Sequence, residues 1–266
     1  MTRLARVYLA EMRMGIQNQF QYRVSVFFQI LGFLIEPIVY LVVWRAVAEA
    51  GGPVGGYDVG LFTSYYIVWT LVRNMNLALT PYVWDWWIQR GRVSDALLRP
   101  VHIFHRQLAV FAGFKFVWIL AWIPIALVLV VAFRPNLDPT LFQITGFFVA
   151  IWGGFVVRFS LLFLMGLISF WTTRASALFE IIIAGELLLS GRLVPLAVMP
   201  DWVQDVAAWL PFKWTFQFPI ETLIGRLGDP EIMFGLMAQV FWIGILGSGI
   251  ALVWKRAVRR YTAVGT

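Results

Sequence analysis

Charged side chains inside long apolar runs are the first feature of this sequence that could do chemistry. Glu36, Arg73, Arg158, Glu180 and Glu186 all lie within such runs. A charged group in a membrane span is costly and normally faces protein or water, where it finds a partner or serves transport. We predict that Glu36 pairs with Arg73, and that Arg158 pairs with Glu180 or Glu186. Such pairs could lock helices together or contact a substrate, and the residues alone leave both roles open.

A repeat of small residues leads to Arg158. Gly146, Ala150, Gly154 and Arg158 follow one another at intervals of four and therefore share one stripe of a helix. Small residues at this spacing let two membrane helices approach closely. We expect Arg158 to point at a neighbouring helix and not at lipid.

The sequence carries no motif of a catalytic or nucleotide-binding site. It lacks both the phosphate-binding stretch that ends in Gly-Lys-Ser/Thr and the Gly-x-Ser-x-Gly nucleophile motif. His102 and His105 lie one helical turn apart but do not sit in a ligand-rich cluster. The absence of cysteine excludes disulfides and thiolate metal sites. By itself the chain is not expected to be an enzyme or to bind a metal or cofactor.

Residues 81–107 form a basic break between apolar runs. Within it, residues 91–100 have the pattern of a short helix that Pro100 stops. This helix is two-faced, with an apolar set and a charged set: Val93, Leu97 and Leu98 on one face, and Arg92, Asp95 and Arg99 on the other. A soluble partner could push on such a helix, although an ordinary connecting helix has the same pattern.

Composition places the chain in a lipid bilayer. It is 61% hydrophobic and 13% charged, whereas a soluble domain has about a quarter charged residues. We predict an all-α membrane protein with one domain over residues 1–266 and six transmembrane helices, the first interrupted at Glu36-Pro37. The predicted spans are residues 24–47, 61–80, 108–133, 141–171, 175–190 and 232–254.

The positions of Lys and Arg predict the direction of these helices. Basic residues are dense near the N-terminus, over residues 81–115 and at residues 255–260, and they are sparse in the other connections. Short loops rich in Lys and Arg remain in the cytoplasm, so both termini are expected there. The net charge of +7 does not indicate nucleic-acid binding, because the basic residues stand at the ends of apolar runs and not along one stripe.

Residues 3–21 have the pattern of an amphipathic helix. Leu4, Tyr8 and Met12 recur every four positions, while Arg6 and Arg13 fall on the opposite side. A basic polar face with an apolar back is typical of a helix that lies in the membrane interface. A plain helical lead-in to the first span fits the same residues.

Residues 191–229 differ from the apolar spans because proline divides them into short pieces. Pro195, Pro200 and Pro211 punctuate the segment, and Trp202 begins a short amphipathic stretch that Asp201 can cap. Short helices with tryptophan suit the membrane interface or a hairpin that re-enters the membrane while shielded by protein. We predict short re-entrant helices on the outer side, before the last span.

These features together resemble the membrane subunit of a type 2 ABC transporter. The resemblance covers nearly the whole chain and includes the N-terminal helix, the six spans and two sequence motifs. The motifs are Gly91-x-Val93-x-x-x-Leu97-Leu98-Arg99-Pro100 in the basic break, and Ser190-Gly191-x-x-x-Pro195-Leu196-x-x-x-Pro200-x-Trp202 with Leu210-Pro211-Phe212 before the last span. The first motif is similar to that of a poorly characterised bacterial branch of exporters.

The resemblance implies partners and a location. It implies a permease in the bacterial plasma membrane that works beside a second permease chain, more often a different chain than a second copy. It also implies two separate ABC ATPase subunits, which would bind ATP and Mg²⁺ while this chain holds no cofactor. The ATPases would contact Arg6 and Arg13 of the N-terminal helix and the helix at residues 91–100. Membrane lipids are the remaining expected partner.

Two other classes of function stay open. One is a proton-coupled secondary transporter that uses Glu36, Glu180 or Glu186 as carriers. No clear internal repeat is present, and such transporters often have one. The other is a membrane scaffold without transport, which the two-faced helix at residues 91–100 weakly disfavours.

Overall fold

A computed structural model describes residues 3–78, 81–91, 93–135, 137–172 and 175–260. Arg92, one of the residues predicted to contact a partner, lies outside this part. The described chain is helical and contains no strand apart from one isolated bridge between Val54 and Tyr57. The helices are α1 (Arg3–Gln21), α2 (Arg23–Gly51), α3 (Val59–Met75), α4 (Pro81–Gln89), α5 (Val93–Leu97), α6 (Ile103–Phe133), α7 (Leu141–Gly166), α8 (Ala175–Leu189), α9 (Asp201–Trp209), α10 (Pro211–Thr215), α11 (Gln217–Leu223) and α12 (Asp229–Arg260).

Four helices are long and apolar enough to cross a membrane: α2, α6, α7 with the 3₁₀ turn that extends it to Phe170, and α12. They make the chain a multi-pass membrane protein. The second and fifth predicted spans form shorter helices, because α3 has 17 residues and α8 has 15. These helices measure about 25 and 22 Å, against a hydrocarbon core of ~30 Å.

Helix α3 lies in the centre of the bundle. Most of its residues are buried, and it packs against α2, α6, α7 and α11. Tyr65, Trp69 and Val72 are completely enclosed. A helix surrounded by protein need not match the thickness of the lipid, which explains how a short α3 is accommodated.

Polar aromatic side chains of α3 stabilise the turn that follows α8. The Tyr65 hydroxyl donates to the carbonyl of Gly191 at 2.6 Å, and Tyr66 donates to that of Leu193 at 3.0 Å. Trp69 Nε1 donates to the carbonyl of Arg192 at 3.0 Å. Non-helical backbone at membrane depth needs partners from protein, and α3 supplies them here.

The predicted stripe of small residues on α7 packs against α10, α11 and α12. A Cβ on Gly146 would lie 2.9 Å from a methyl carbon of Ile232, and one on Gly154 would lie 3.1 Å from the carbonyl oxygen of Thr215. Ala150 is fully buried. The small side chains therefore let α10, α11 and α12 approach α7 closely.

Helix α1 packs along the first half of α6. Tyr8 lies beside His105, and Glu11 pairs with Arg106 at 2.6 Å. At Gly113 the backbone of α1 is so close that a Cβ would meet Met12 Cα at 3.0 Å. The opposite side of α1 carries Arg6 and Arg13, which are both exposed.

Helix α2 is continuous where an interruption was predicted. It contains Glu36 and Pro37 without a break. Proline is tolerated inside membrane helices because neighbouring groups compensate for the missing N–H. Here Pro37 is buried within the bundle.

The segment before α12 contains several short helices, and proline stands at or just before the start of three of them. Pro195 precedes a 3₁₀ turn, Pro200 precedes α9, and Pro211 is the first residue of α10. Pro200 occupies the N-cap that we predicted for Asp201, which is instead the first helical residue. Trp202 is 69% exposed, so α9 turns an aromatic surface outward.

Candidate functional site

Glu36 is held by two arginines between α2, α3 and the turn after α8. Arg73 contacts Glu36 Oε2 through Nε at 2.9 Å and through Nη2 at 2.8 Å. Arg192, which is far from Glu36 in the sequence, contacts Glu36 Oε1 through Nη2 at 3.2 Å. The predicted pairing of Glu36 with Arg73 is therefore part of a three-residue cluster, which we call the arginine cluster.

Arg158 and Glu186 form a buried two-point ion pair. Arg158 Nε lies 2.7 Å from Glu186 Oε1, and Nη2 lies 3.0 Å from Oε2. Both residues are buried. Arg158 also donates through Nη1 to the carbonyl of Asn76, the C-cap of α3. Of the two carboxylates predicted to pair with Arg158, the structure brings Glu186 to it, while Glu180 lies exposed on the same helix.

Lys115 lies inside the bundle and not in the basic break where its charge was counted. It is 2% exposed and belongs to α6, which begins at Ile103. Its Nζ donates to the carbonyls of Asn74 at 2.9 Å and of Leu77, at the C-terminal end of α3. Positive charge is favourable near a helix C-terminus, where carbonyls lack intrahelical partners.

The end of α3 is thus a junction at which four elements meet. Lys115 comes from α6 and Arg158 from α7, while Asn76 itself donates to the carbonyls of Val72 at 3.0 Å and Thr215 at 2.8 Å. A buried backbone carbonyl that lacks a partner within its helix needs another hydrogen-bond donor. The charged groups near this junction therefore satisfy backbone as well as one another.

Of the helix predicted at residues 91–100, the described residues are helical only over Val93–Leu97, as α5, and its predicted apolar face is divided, because Val93 is buried whereas Leu97 and Leu98 are exposed. Val93 is completely buried and anchors it, whereas Leu98, just past its end, is 86% exposed. Asp95 and Arg99 line a shallow cavity of about 180 Å³ together with Trp87. Leu97 is 37% exposed. The free surface of α5 therefore combines an exposed leucine with charged groups.

Residues 81–89, predicted as part of the basic break between apolar runs, form helix α4, which connects α5 to the bundle. Its Trp84 is fully buried, with its ring 5.1 Å from that of Phe163 in α7. A Cβ on Gly166 would collide with this indole. The sequence of residues 81–89 could have indicated this helix, because it is apolar, rich in aromatic residues and low in charge.

A second network fastens the loop between α2 and α3 to α11. Tyr57 donates to Glu221 Oε1 at 2.7 Å, and the Arg226 guanidinium lies 4.1 Å from the centre of the Tyr57 ring. Arg226 also donates to the carbonyl of Gly56 at 2.8 Å. Burial, followed by the charge of Glu221, raises the pKa of Tyr57. Sequence reasoning missed this network because its members lie far apart in the chain.

Other functional candidates were also missed. Arg192 was not predicted as a partner of Glu36, although the nearby prolines mark an irregular segment that could carry a buried charge. The histidines have local roles, since His102 Nδ1 accepts from the backbone N–H of Phe104 at 3.2 Å and His105 Nδ1 lies 2.9 Å from the Tyr8 hydroxyl. Burial and the neighbouring His105 lower the pKa of His102. Among the described residues, no group of three or more His, Cys, Asp or Glu could hold a metal ion.

The sequence matches a known protein family. The family model described as ABC-2 family transporter protein matches residues 34–265, which include all the helices from the middle of α2 onward. The resemblance drawn from the sequence motifs is thereby confirmed. No curated protein matches the sequence.

Proposed function

Because the chain belongs to the ABC-2 family of transporter proteins, we propose that it is the membrane-spanning subunit of an ATP-driven exporter. It forms the translocation path with a second permease chain, more readily a different chain than a second copy. Two ATPase subunits bind ATP and Mg²⁺ on the cytoplasmic side of a bacterial plasma membrane. In this proposal α3 and α8 also cross the membrane, which gives six spans, re-entrant helices on the outer side and cytoplasmic termini.

The observation that carries this proposal, beyond the family itself, is the exposed surface of α5. Leu98 is 86% exposed, whereas Val93 at the start of α5 is completely buried and holds the helix against the bundle. The neighbouring Leu97 is also exposed, and Asp95 and Arg99 lie next to both leucines, so we expect this mixed apolar and charged surface to form the contact with the partner. Arg6 and Arg13 on α1 offer a second exposed, basic surface for the same partner.

The contacts of α4 supply a route for movement. A push on α5 acts on α4, whose Trp84 is wedged between Phe163 and Gly166 of α7. Close-packed interiors transmit displacement because they have no free volume to absorb it. The closing of the ATPases would in this way shift α7 relative to the second permease chain and open the path outward.

The arrangement of carboxylates favours ATP-driven transport over the proton-coupled alternative. Glu36 is held by two guanidinium groups and Glu186 by a two-point contact with Arg158. A proton carrier must take up and release a proton in each cycle. Protonation of Glu186 would leave the buried Arg158 without its partner, which costs several kcal/mol, and protonation of Glu36 would leave two guanidinium groups without their carboxylate. Glu36 and Glu186 are therefore poor carriers.

Co-purification and a substitution in α5 test the proposal. A tagged chain extracted from its native host in mild detergent should bring down an ATPase with a phosphate-binding loop. Leu98→Asp should weaken this association about tenfold or more, because it places a charge at the centre of an apolar contact, while Leu98→Met should not.

Since Leu98 is almost fully exposed, neither variant should lower the unfolding temperature of the purified chain. A chain that purifies without any ATPase, or a Leu98→Asp complex with unchanged binding and substrate-stimulated ATP hydrolysis, would contradict the proposal.

A further inference from the structure

We propose that the arginine cluster (Glu36, Arg73 and Arg192) is a binding site for the anionic head of an amphipathic molecule. This inference deepens the proposed function and rests on it, because it names the chemical class of the transported substrate. The head group would be a phosphate, phosphonate or similar oxyanion, and its apolar tail would lie along the membrane.

The first step is the charge of the arginine cluster. It contains two guanidinium groups and one carboxylate, so its net charge is +1. Glu36 Oε2 is shared, since it accepts from both Arg73 at 2.9 Å and Arg192 at 3.4 Å. A single carboxylate cannot neutralise both cations, so the three side chains together carry one excess positive charge.

The second step is the depth of the arginine cluster. Glu36 lies about 22 Å from the end of α2, and Arg73 lies about 21 Å from the start of α3, at 1.5 Å per residue. With a hydrocarbon core of ~30 Å, Glu36 lies within the span formed by α2, and Arg73 lies in the last turn of α3, at an end of the helix that is buried in the bundle. An uncompensated positive charge at that depth is costly unless it faces water, protein or an anion.

The third step is access. The side chains of Arg192, Arg73 and Glu36 are 19%, 16% and 26% exposed, so the arginine cluster reaches the surface of the chain. The buried pair of Arg158 and Glu186 differs in this respect, with side chains only 10% and 3% exposed. An exterior ligand can therefore touch the arginine cluster but not the buried pair.

The fourth step is the hydrogen-bonding capacity that remains at Arg192. Both of its contacts with Glu36 use Nη2, and its Nε has no hydrogen-bond partner among the described residues. Arginine binds oxyanions through paired N–H groups. Because Nε is buried in this arrangement, Arg192 has to rotate to present such a pair to a ligand, while Arg73 continues to hold Glu36.

The fifth step is the apolar surface beside the arginine cluster. Tyr40 packs against the rings of Tyr66 and Trp69 at 5.9 and 6.1 Å between centres. On the same helix Ile35 and Val39 are 66% and 51% exposed. A tail attached to a bound anion would find aromatic and aliphatic side chains within the length of a few methylene groups.

Binding to the chain in phosphatidylcholine nanodiscs tests the inference without any ATPase. The probes are dodecyl phosphate, dodecyltrimethylammonium and dodecyl maltoside, which share a tail and differ in charge. Dodecyl phosphate should bind the wild type about tenfold more tightly than either of the others, since charge-assisted hydrogen bonds of this kind are worth that much or more. Equal affinities for the three probes would overturn the inference before any variant is made.

Two variants and a matched control locate the site. Arg192→Gln leaves the Glu36–Arg73 pair intact and should weaken dodecyl phosphate about tenfold, whereas Glu36→Gln should not weaken it. Arg259→Gln removes the same charge at the exposed end of α12 and should leave affinity unchanged. Equal effects of Arg192→Gln and Arg259→Gln would show that only the net charge of the chain attracts the anion, and the inference would be wrong.

A final arm separates a lipid from a free amphiphile. If the natural anion is a lipid head group, replacing part of the phosphatidylcholine by phosphatidylglycerol should weaken dodecyl phosphate binding in the wild type. If affinity does not change, the site takes a free amphiphile. Either result supports an anion site. Failure of all binding, together with successful recovery of an ATPase partner, would overturn this inference and leave the proposed function in place.

Discussion

The buried pair of Arg158 and Glu186 stabilises the fold only while both members are present. Removing one member leaves the other charged and without a partner, which costs about 3–5 kcal/mol for a buried pair. We therefore expect Glu186→Leu to lower the unfolding temperature in detergent strongly, and the double variant Arg158→Met, Glu186→Leu to recover most of the loss. Thermal unfolding followed by size-exclusion chromatography measures both.

Glu180→Leu is the matched control for this pair. It removes the same charge from an exposed position on α8, so it should cost less than Glu186→Leu, which leaves the buried Arg158 without its partner. If Glu186→Leu were no worse than Glu180→Leu, the ion pair would contribute nothing to stability. If the double variant stayed as unstable as Glu186→Leu, the bond from Arg158 to the carbonyl of Asn76 would be the contact that matters.

At the residue scale, sequence reasoning found the charged groups but only some of their partners. Charges within apolar runs are conspicuous, and the pairings of Glu36 and Arg158 follow from the need to compensate them. The additional partner Arg192 and the inward position of Lys115 could not be predicted. Both depend on where a non-helical turn and the end of α3 fall in space, and neither position is encoded by local spacing.

The contact between α1 and α6 offers a prediction about an element. Gly113 is so close to Met12 that a Cβ would lie within 3.0 Å of its backbone carbon atoms. Gly113→Ala should therefore push α1 away, even though alanine favours a helix over glycine by about 1 kcal/mol. Trypsin cleavage at Arg13 should become faster, and the unfolding temperature should fall.

Gly32→Ala provides the comparison for this substitution. Gly32 is also in a membrane helix, but a Cβ there would meet nothing within 4 Å. It should gain the helix preference without a clash, so its stability should hold or rise. Identical results for the two variants would mean that α1 does not need the close approach at Gly113.

At the element scale, helices were easier to predict than their contacts. The apolar runs gave α2, α6, α7 and α12 directly, because length and hydropathy alone identify a span. Helix α4 was missed because its nine residues are too few for a span and stand beside the basic residues that follow them, although their apolar and aromatic character was visible. The burial of α3 was also beyond the sequence, because an apolar helix looks the same whether lipid or protein surrounds it.

The arrangement of the whole molecule depends on whether α3 and α8 cross the membrane. With six spans the basic connection that contains α5 is cytoplasmic and the turn between α6 and α7 is external. With only α2, α6, α7 and α12 crossing, and the N-terminus inside, these two connections exchange sides. Both arrangements leave the C-terminus in the cytoplasm, so labelling the terminus does not separate them.

The absence of cysteine from the chain makes a direct measurement simple. Leu98→Cys and Asp138→Cys each place one thiol at an exposed position, one in each of the two connections. We expect a membrane-impermeant maleimide to label Asp138→Cys in intact cells and Leu98→Cys only after permeabilisation, because Lys and Arg near α5 hold that connection in the cytoplasm. The reverse pattern would establish four spans and place α5 where no ATPase could reach it. The argument for the anion site would then also lose its support, since the depth of the arginine cluster depends on α3 crossing the membrane beside α2.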